Sequence, residues 1–218
     1  MKYLIITADD FGYSPVFNKV ILDLLEKGYL TNTTVMVNRL TEEQGQQLER
    51  LKALRISGDI SIGLHLEFRD HKNYEKEIQE QVAAFQKIFH RKPDYLDIHK
   101  YPSFKDSFRS VAAECRNLHV PCRNTGPAFL AEGILSTPDK VFFGTVKDFS
   151  RIKEWLETLE DGDFHEILFH PGKRDPACRS SLNRQRELDA EHVVMLDSQL
   201  QKHDIRKANY LDFKAKKP

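Results

Sequence analysis

Apolar and polar positions along this chain change period repeatedly. Residues 2–7 (Lys-Tyr-Leu-Ile-Ile-Thr) are an apolar run too short for a helix and read as a buried strand. Ser14-Pro15 then predicts a helix N-cap and first helical position. Phe17, Val20, Ile21, Leu24 and Leu25 recur at helical spacing, and Gly28 is the predicted stop. Residues 33–38 are β-branched and strand-like, a polar helix is predicted over about 42–55, and residues 59–68 alternate cleanly. Ile78, Val82, Phe85 and Phe89 mark the next helix, residues 94–99 the next strand, and Phe108, Val111, Ala112, Cys115 and Leu118 a further helix. Short extended pieces are predicted near 120–123 and 140–144, with a helix carrying Ile152, Trp155, Leu156 and Leu159. A strand over 164–170, a long helix over about 183–202 and a last extended piece over 205–213 complete the chain.

Repeated β-then-α order implies a parallel sheet with helices outside it. With about seven or eight such units and no linker or repeat, the expected fold is an irregular TIM-like (β/α) barrel, one domain over residues 1–218. The third strand supports this. Ile62, Leu64, Leu66 and Phe68 fall on one face, and Ser61, Gly63, His65 and Glu67 on the other. No glycine-rich phosphate loop follows the first strand, which weighs against a nucleotide site.

Bulk properties narrow the partners. The 218 residues carry zero formal net charge, so the basic excess of a nucleic-acid binder is missing. No apolar run approaches the ~20 residues that cross a bilayer, and the N-terminal run is too short for a signal peptide. Cys115, Cys122 and Cys178 form no CxxC pair and are expected to be reduced thiols in a cytoplasmic protein.

Active sites of parallel barrels sit at the C-terminal strand ends. Asp9 and Asp10 follow the first strand there. They serve either as turn and cap residues or as a metal ligand beside a base, since a cation relieves the repulsion of adjacent carboxylates. His65 nears the end of the third strand. Asp97 and His99 share a face of the fourth, where a carboxylate can orient an imidazole. An Asp, His, His set with open positions suits a catalytic divalent ion. His170 precedes Pro171-Gly172, a turn that would project its ring above a strand end as a proton donor. Each histidine taken alone reads equally well as a structural group. His71, His90, His119, His165, His192 and His203 are read as surface residues.

These pieces resemble a known family, the YdjC-like carbohydrate deacetylases, which include chitooligosaccharide deacetylase. The matching stretches are TADDFG (7–12), LTNTTVMVN (30–38), IGLHL (62–66), LDIH (96–99), VPCR (120–123), FHPG (169–172) and RELDAEHV (186–193). The resemblance implies an irregular β/α barrel and a divalent ion, magnesium or zinc. It implies Asp10, His65 and His99 as metal ligands, Asp9 as general base and His170 as the leaving-group acid. Arg123 and Tyr101 fall at substrate-side positions, and Arg186 near the site. One departure stands out. The family's DSHxH pattern reads DIHKY here, with Ile98 for serine and Tyr101 for the second histidine.

The implied reaction is removal of an N-acetyl group from an amino sugar or oligosaccharide, free or phosphorylated, with release of acetate. Neither nucleic acid nor membrane is an expected partner, and a homodimer is left open. The alternative is a catalytically weakened carbohydrate-binding or regulatory protein on the same scaffold. A phosphoesterase with two metals would need more carboxylates and histidines on the rim.

Overall fold

The computed structural model describes residues 1–69, 73–100, 107–123 and 137–216. Its strands are β1 (Lys2–Phe11), β2 (Asn32–Val35), β3 (Ser61–Leu66), β4 (Leu96–Ile98), β5 (Lys140–Phe143), β6 (Phe164–Phe169) and β7 (Ile205–Ala208). Between and after them come α1 (Pro15–Glu26), α2 (Gly45–Ile56), α3 (Tyr74–Phe89), α4 (Phe108–Leu118), α5 (Ser150–Glu157), α6 (Arg186–Leu200) and α7 (Tyr210–Lys216). The strands form one parallel sheet in the order β4-β3-β2-β1-β6-β5. β7 pairs with the first half of β1, along the edge whose second half pairs with β2.

The expected irregular barrel forms in part. The sheet curls into a half-barrel, and its outer strands, β4 and β5, share no pairing among the described residues. Between α4 and β5 the described residues supply a single bridge, Leu96 to Cys122. Parallel strands buried on both faces explain the rest of the pattern. Leu4, Ile6 and Ala8 of β1 and Ile62, Leu64 and Leu66 of β3 pack with Ile21, Leu22 and Leu25 of α1 in the main core. The opposite face of β3 carries Ser61, Gly63 and His65, as its alternation predicts, and these too are buried.

The inner face is layered. At its base Ile5, Tyr95, Phe164 and Ala208 pack against Tyr210 and Phe213 of α7. Above that plug lies a polar layer. Asn32 Nδ2 donates to Thr7 Oγ1 at 2.8 Å and to the Tyr95 hydroxyl at 2.7 Å. Thr7 Oγ1 and the Tyr210 hydroxyl donate to the two oxygens of Glu166 at 2.6 and 2.7 Å. Tyr95 and Tyr210 stack with centroids 3.8 Å apart. Gly63 makes room for that stack, because a Cβ there would lie 2.3 Å from the Tyr95 ring. Gly63→Ala is therefore expected to cost about 1–3 kcal/mol through overpacking. Urea unfolding measures it, and an unchanged midpoint would mean that the ring yields freely.

Local signals account for most element ends. The Ser14 hydroxyl accepts from Val16 N–H at 3.1 Å, with Pro15 opening α1, and Gly28 has a φ of 69° after its last turn. Two expectations fail. Residues 205–213 are not all extended. Asn209 Oδ1 accepts from Leu211 N–H at 2.8 Å, and Asp212 Oδ2 accepts from Asn209 N–H at 3.0 Å, a reciprocal cap that starts α7. His165 and His192 are buried rather than on the surface. His165 faces Trp155 of α5, and His192 of α6 packs against Phe149. No helix among the described residues is long and apolar enough to cross a membrane.

Candidate metal centre

β1 ends irregularly. Its register with β2 shifts between Ala8 and Phe11, and Asp10 takes a left-handed φ of 72°. Simple alternation would send Asp9 and Asp10 to opposite faces. The bulge lets both buried carboxylates reach the inner rim, and aspartate tolerates this φ better than most residues.

Three side chains converge beside the bulge. His65 Nε2 and His99 Nδ1 lie 3.5 and 3.4 Å from Asp10 Oδ1, and 3.1 Å from each other. Donors bound at about 2.1 Å to one ion sit about 3.0 Å apart at right angles and about 3.4 Å apart at the tetrahedral angle. Asp10 Oδ1 is buried with no aligned hydrogen-bond partner among the described residues. The spacing and the unmet carboxylate oxygen both fit a divalent ion.

Asp9, His65 and Asp97 also lie close enough to form a trio. That trio is already neutralised. Arg123 Nη1 and Nη2 donate to Asp9 Oδ2 and Oδ1 at 2.8 and 2.9 Å, and Nη1 donates to Asp97 Oδ2 at 2.7 Å. Arg123 also donates to Glu166 Oε1, from Nε at 3.2 Å and Nη2 at 3.1 Å. Burial pushes the Asp9 carboxyl up, but the charges of Arg123, His65 and His170 and the hydrogen bonds from Arg123 together outweigh it and hold the pKa at about 2. Thr34 Oγ1 donates to Asp9 Oδ1 at 2.9 Å. Asp97 Oδ2 lies 2.8 Å from His65 Nδ1, off the direction of an aligned hydrogen bond. Burial opposes protonation of His65, yet Asp10 and Asp97 raise its pKa to about 10.

His170 lines the same cavity, one residue past β6, the strand paired with β1. Thr145 Oγ1 donates to Asp189 Oδ2 at 2.5 Å, so it accepts the Nδ1 proton of His170 at 3.0 Å. The His170 backbone N–H also donates to Asp189 Oδ2, at 2.8 Å. This fixes the tautomer, and Nε2 has no hydrogen-bond partner among the described residues. Burial pushes the His170 pKa down, against the pull of Asp10 and Asp9. The cavity measures about 490 Å³, and Tyr13, Lys100, Phe143, Arg179 and Leu182 also line it.

The structure thus gathers Asp9, Asp10, His65, His99, Arg123 and His170 around one cavity. Tyr101 lies outside the described residues. Asp97 approaches His65, its direct neighbour across the β3–β4 ladder. Glu166, Thr145 and Asp189 were not singled out from the sequence. Alternation through 164–170 would have put Glu166 on the face of His170, and Asp189 lies in the matching stretch 186–193, whereas Thr145 carries no local signal.

Fold and side chains together define a class: a curled parallel α/β sheet presenting one carboxylate and two imidazoles at its C-terminal rim. The sequence profile of the YdjC-like protein family matches residues 3–74 and 67–203, and the chain belongs to that family. A relative from Enterococcus faecalis named carbohydrate deacetylase is 24% identical, over 96% of this chain and 97% of its own. A crystal structure from the same species, provisionally described as a cellobiose-phosphate cleavage protein, superposes with a TM-score of 0.82 at 22% identity, covering 97% of this chain and 98% of that one. A family 4 acetyl xylan esterase from Clostridium thermocellum, in complex with a cobalt ion, has a TM-score of 0.59 at 15% identity, covering 98% of this chain and 90% of its own. Both structural likenesses are of fold.

Proposed function

We propose that this chain is a metal-dependent hydrolase that removes the N-acetyl group of an N-acetylated amino sugar or oligosaccharide and releases acetate. The convergence of Asp10 Oδ1, His65 Nε2 and His99 Nδ1 beside Asp9 and His170 carries this reading. The names of the relatives support the sugar substrate. Asp10, His65 and His99 would hold the ion. Of magnesium and zinc, two imidazole nitrogens favour zinc. When bound, such an ion lowers the pKa of water and polarises a carbonyl.

The chain's own groups divide the proton work. Asp9, kept ionised by Arg123, accepts the proton of the attacking water. His170, steadied at Nδ1 by Thr145 and Asp189, acts in its doubly protonated form, takes that second proton at Nε2 from solvent before the reaction, and hands it to the departing amine. Arg123 acts by holding Asp9 in place. Lys100 and Arg179, both exposed cations lining the cavity, favour a substrate that carries a phosphate.

A panel of N-acetylated sugars, free and phosphorylated, tests the reading by acetate release with added zinc, added magnesium or a chelator. Acetate release that survives exhaustive chelation would overturn the metal requirement. Sugar binding without any acetate would favour the binding-protein alternative. Metal uptake should also depend on pH. His65, with a pKa of about 10 against an ordinary 6.5, gives up its proton when it ligates an ion. Affinity is therefore expected to rise with pH between about 7 and 10, approaching tenfold per unit. Calorimetry in two buffers of different ionisation enthalpy reads the released proton. In the metal-free protein the sign reverses. The stability His65 contributes is complete below pH 6.5 and is lost as pH rises through about 10.

A further inference from the structure

We propose that Arg186 is a positioning residue for the metal ligand Asp10. By occupying Oδ2 it confines Asp10 to coordination through Oδ1 alone, and so keeps a place on the ion open for water and substrate. The inference rests on the metal site proposed above. A carboxylate can bind an ion through one oxygen or both. Arg186 Nη2 donates to Asp10 Oδ2 at 2.5 Å, while Oδ1 faces His65 and His99.

Arg186 is built into this place. The residue is fully buried. Its other contacts are long: Nη2 to Ser180 Oγ at 3.4 Å and Nη1 to the His170 carbonyl at 3.5 Å. Its Nε has no partner among the described residues. Asp10 is therefore the one short polar contact of the guanidinium there, while the Arg186 carbonyl accepts from Gly172 N–H at 3.1 Å. The guanidinium lies 3.8 Å above the Phe17 ring. Gly172 completes the cradle, because a Cβ there would meet Phe17 Cδ1 at 2.9 Å and Arg186 Cδ at 3.1 Å. A guanidinium this close to a cation site adds repulsion rather than affinity. Its placement is explained by what it does to Asp10.

The test loads Co2+ into the wild type, Arg186→Met and Gly172→Ala, and follows visible absorption, metal affinity and turnover. Methionine keeps the apolar stem and removes the donors. Gly172→Ala keeps the charge and displaces it. With Oδ2 released, Asp10 can take a second position on the ion. The Co2+ bands are then expected to weaken, as they do when coordination number rises. Turnover should fall about 10–100-fold, and more than Co2+ affinity does. Gly172→Ala should shift the bands the same way, and it carries the test alone should Arg186→Met not fold. Bands and turnover like the wild type, with only a lower thermal midpoint, would make Arg186 a structural ion pair and overturn the proposal. Loss of Co2+ from a folded Arg186→Met protein would overturn it too. A band shift in a protein that releases acetate from no sugar would leave this inference standing and remove the deacetylase reading.

Discussion

Asp9→Asn is expected to keep the ion and to lower turnover by about 10²–10⁴-fold, the usual loss of a general base. Asp9 is not among the three atoms that converge on the metal position. Its oxygens face Arg123 and Thr34 instead. Asparagine still offers Arg123 one acceptor, and the guanidinium keeps Asp97 and Glu166. Asp10→Asn removes a proposed ligand and should lose metal and turnover together. Calorimetric titration with Zn2+, paired with acetate release, separates the two. If Asp9→Asn loses the ion while Asp10→Asn retains it, the roles are reversed. Wild-type rates in both would end the mechanism proposed here.

The second large effect is on stability. Arg123 is the shared cation of Asp9, Asp97 and Glu166, all of them buried. Arg123→Met leaves three carboxylates without it, and breaking a buried pair typically costs about 3–5 kcal/mol. The pH response between 7 and 4 should change, because the Asp9 contribution of the wild type is constant over that range. In the wild type, the stability gained from Asp9 is present above its ordinary pKa of 3.8 and is lost as pH falls through about 2. In the variant, burial and mutual repulsion raise the carboxylate pKa values above those of the unfolded chain. Protonation then favours the fold, so stability rises as pH falls from 7 towards 4. Urea midpoints across that range decide it, and parallel curves for the two proteins would refute the account.

Sequence order revealed much of this, and its limits have physical causes. The alternation of 59–68 identified both faces of β3, because a strand buried on two sides still separates small and polar residues from branched apolar ones. The run into Asp9 and Asp10 marked a strand end for the same reason. How far the sheet would close was not legible, since local periodicity does not tell which edge strands pair. Arg186 meets Asp10 across 176 residues, and Thr145 meets Asp189 across 44. Such contacts leave no spacing to read. His165 and His192 were misjudged because a polar neighbourhood along the chain is not a polar neighbourhood in space.

The bulge at the end of β1 has a consequence for anyone who would move this chemistry to another scaffold. Two consecutive carboxylates serve one cavity only because the strand departs from regular pleating between Ala8 and Phe11. Grafting the side chains of Asp9 and Asp10 onto a straight parallel strand would turn one of them towards the covering helices, where it would meet apolar packing. Deleting a single residue from 8–11 would do the same in the native protein. The transferable unit is therefore a backbone shape with its left-handed aspartate, together with a distant arginine to hold the second oxygen. A donor triad copied by atom type alone would place the charges and lose the geometry.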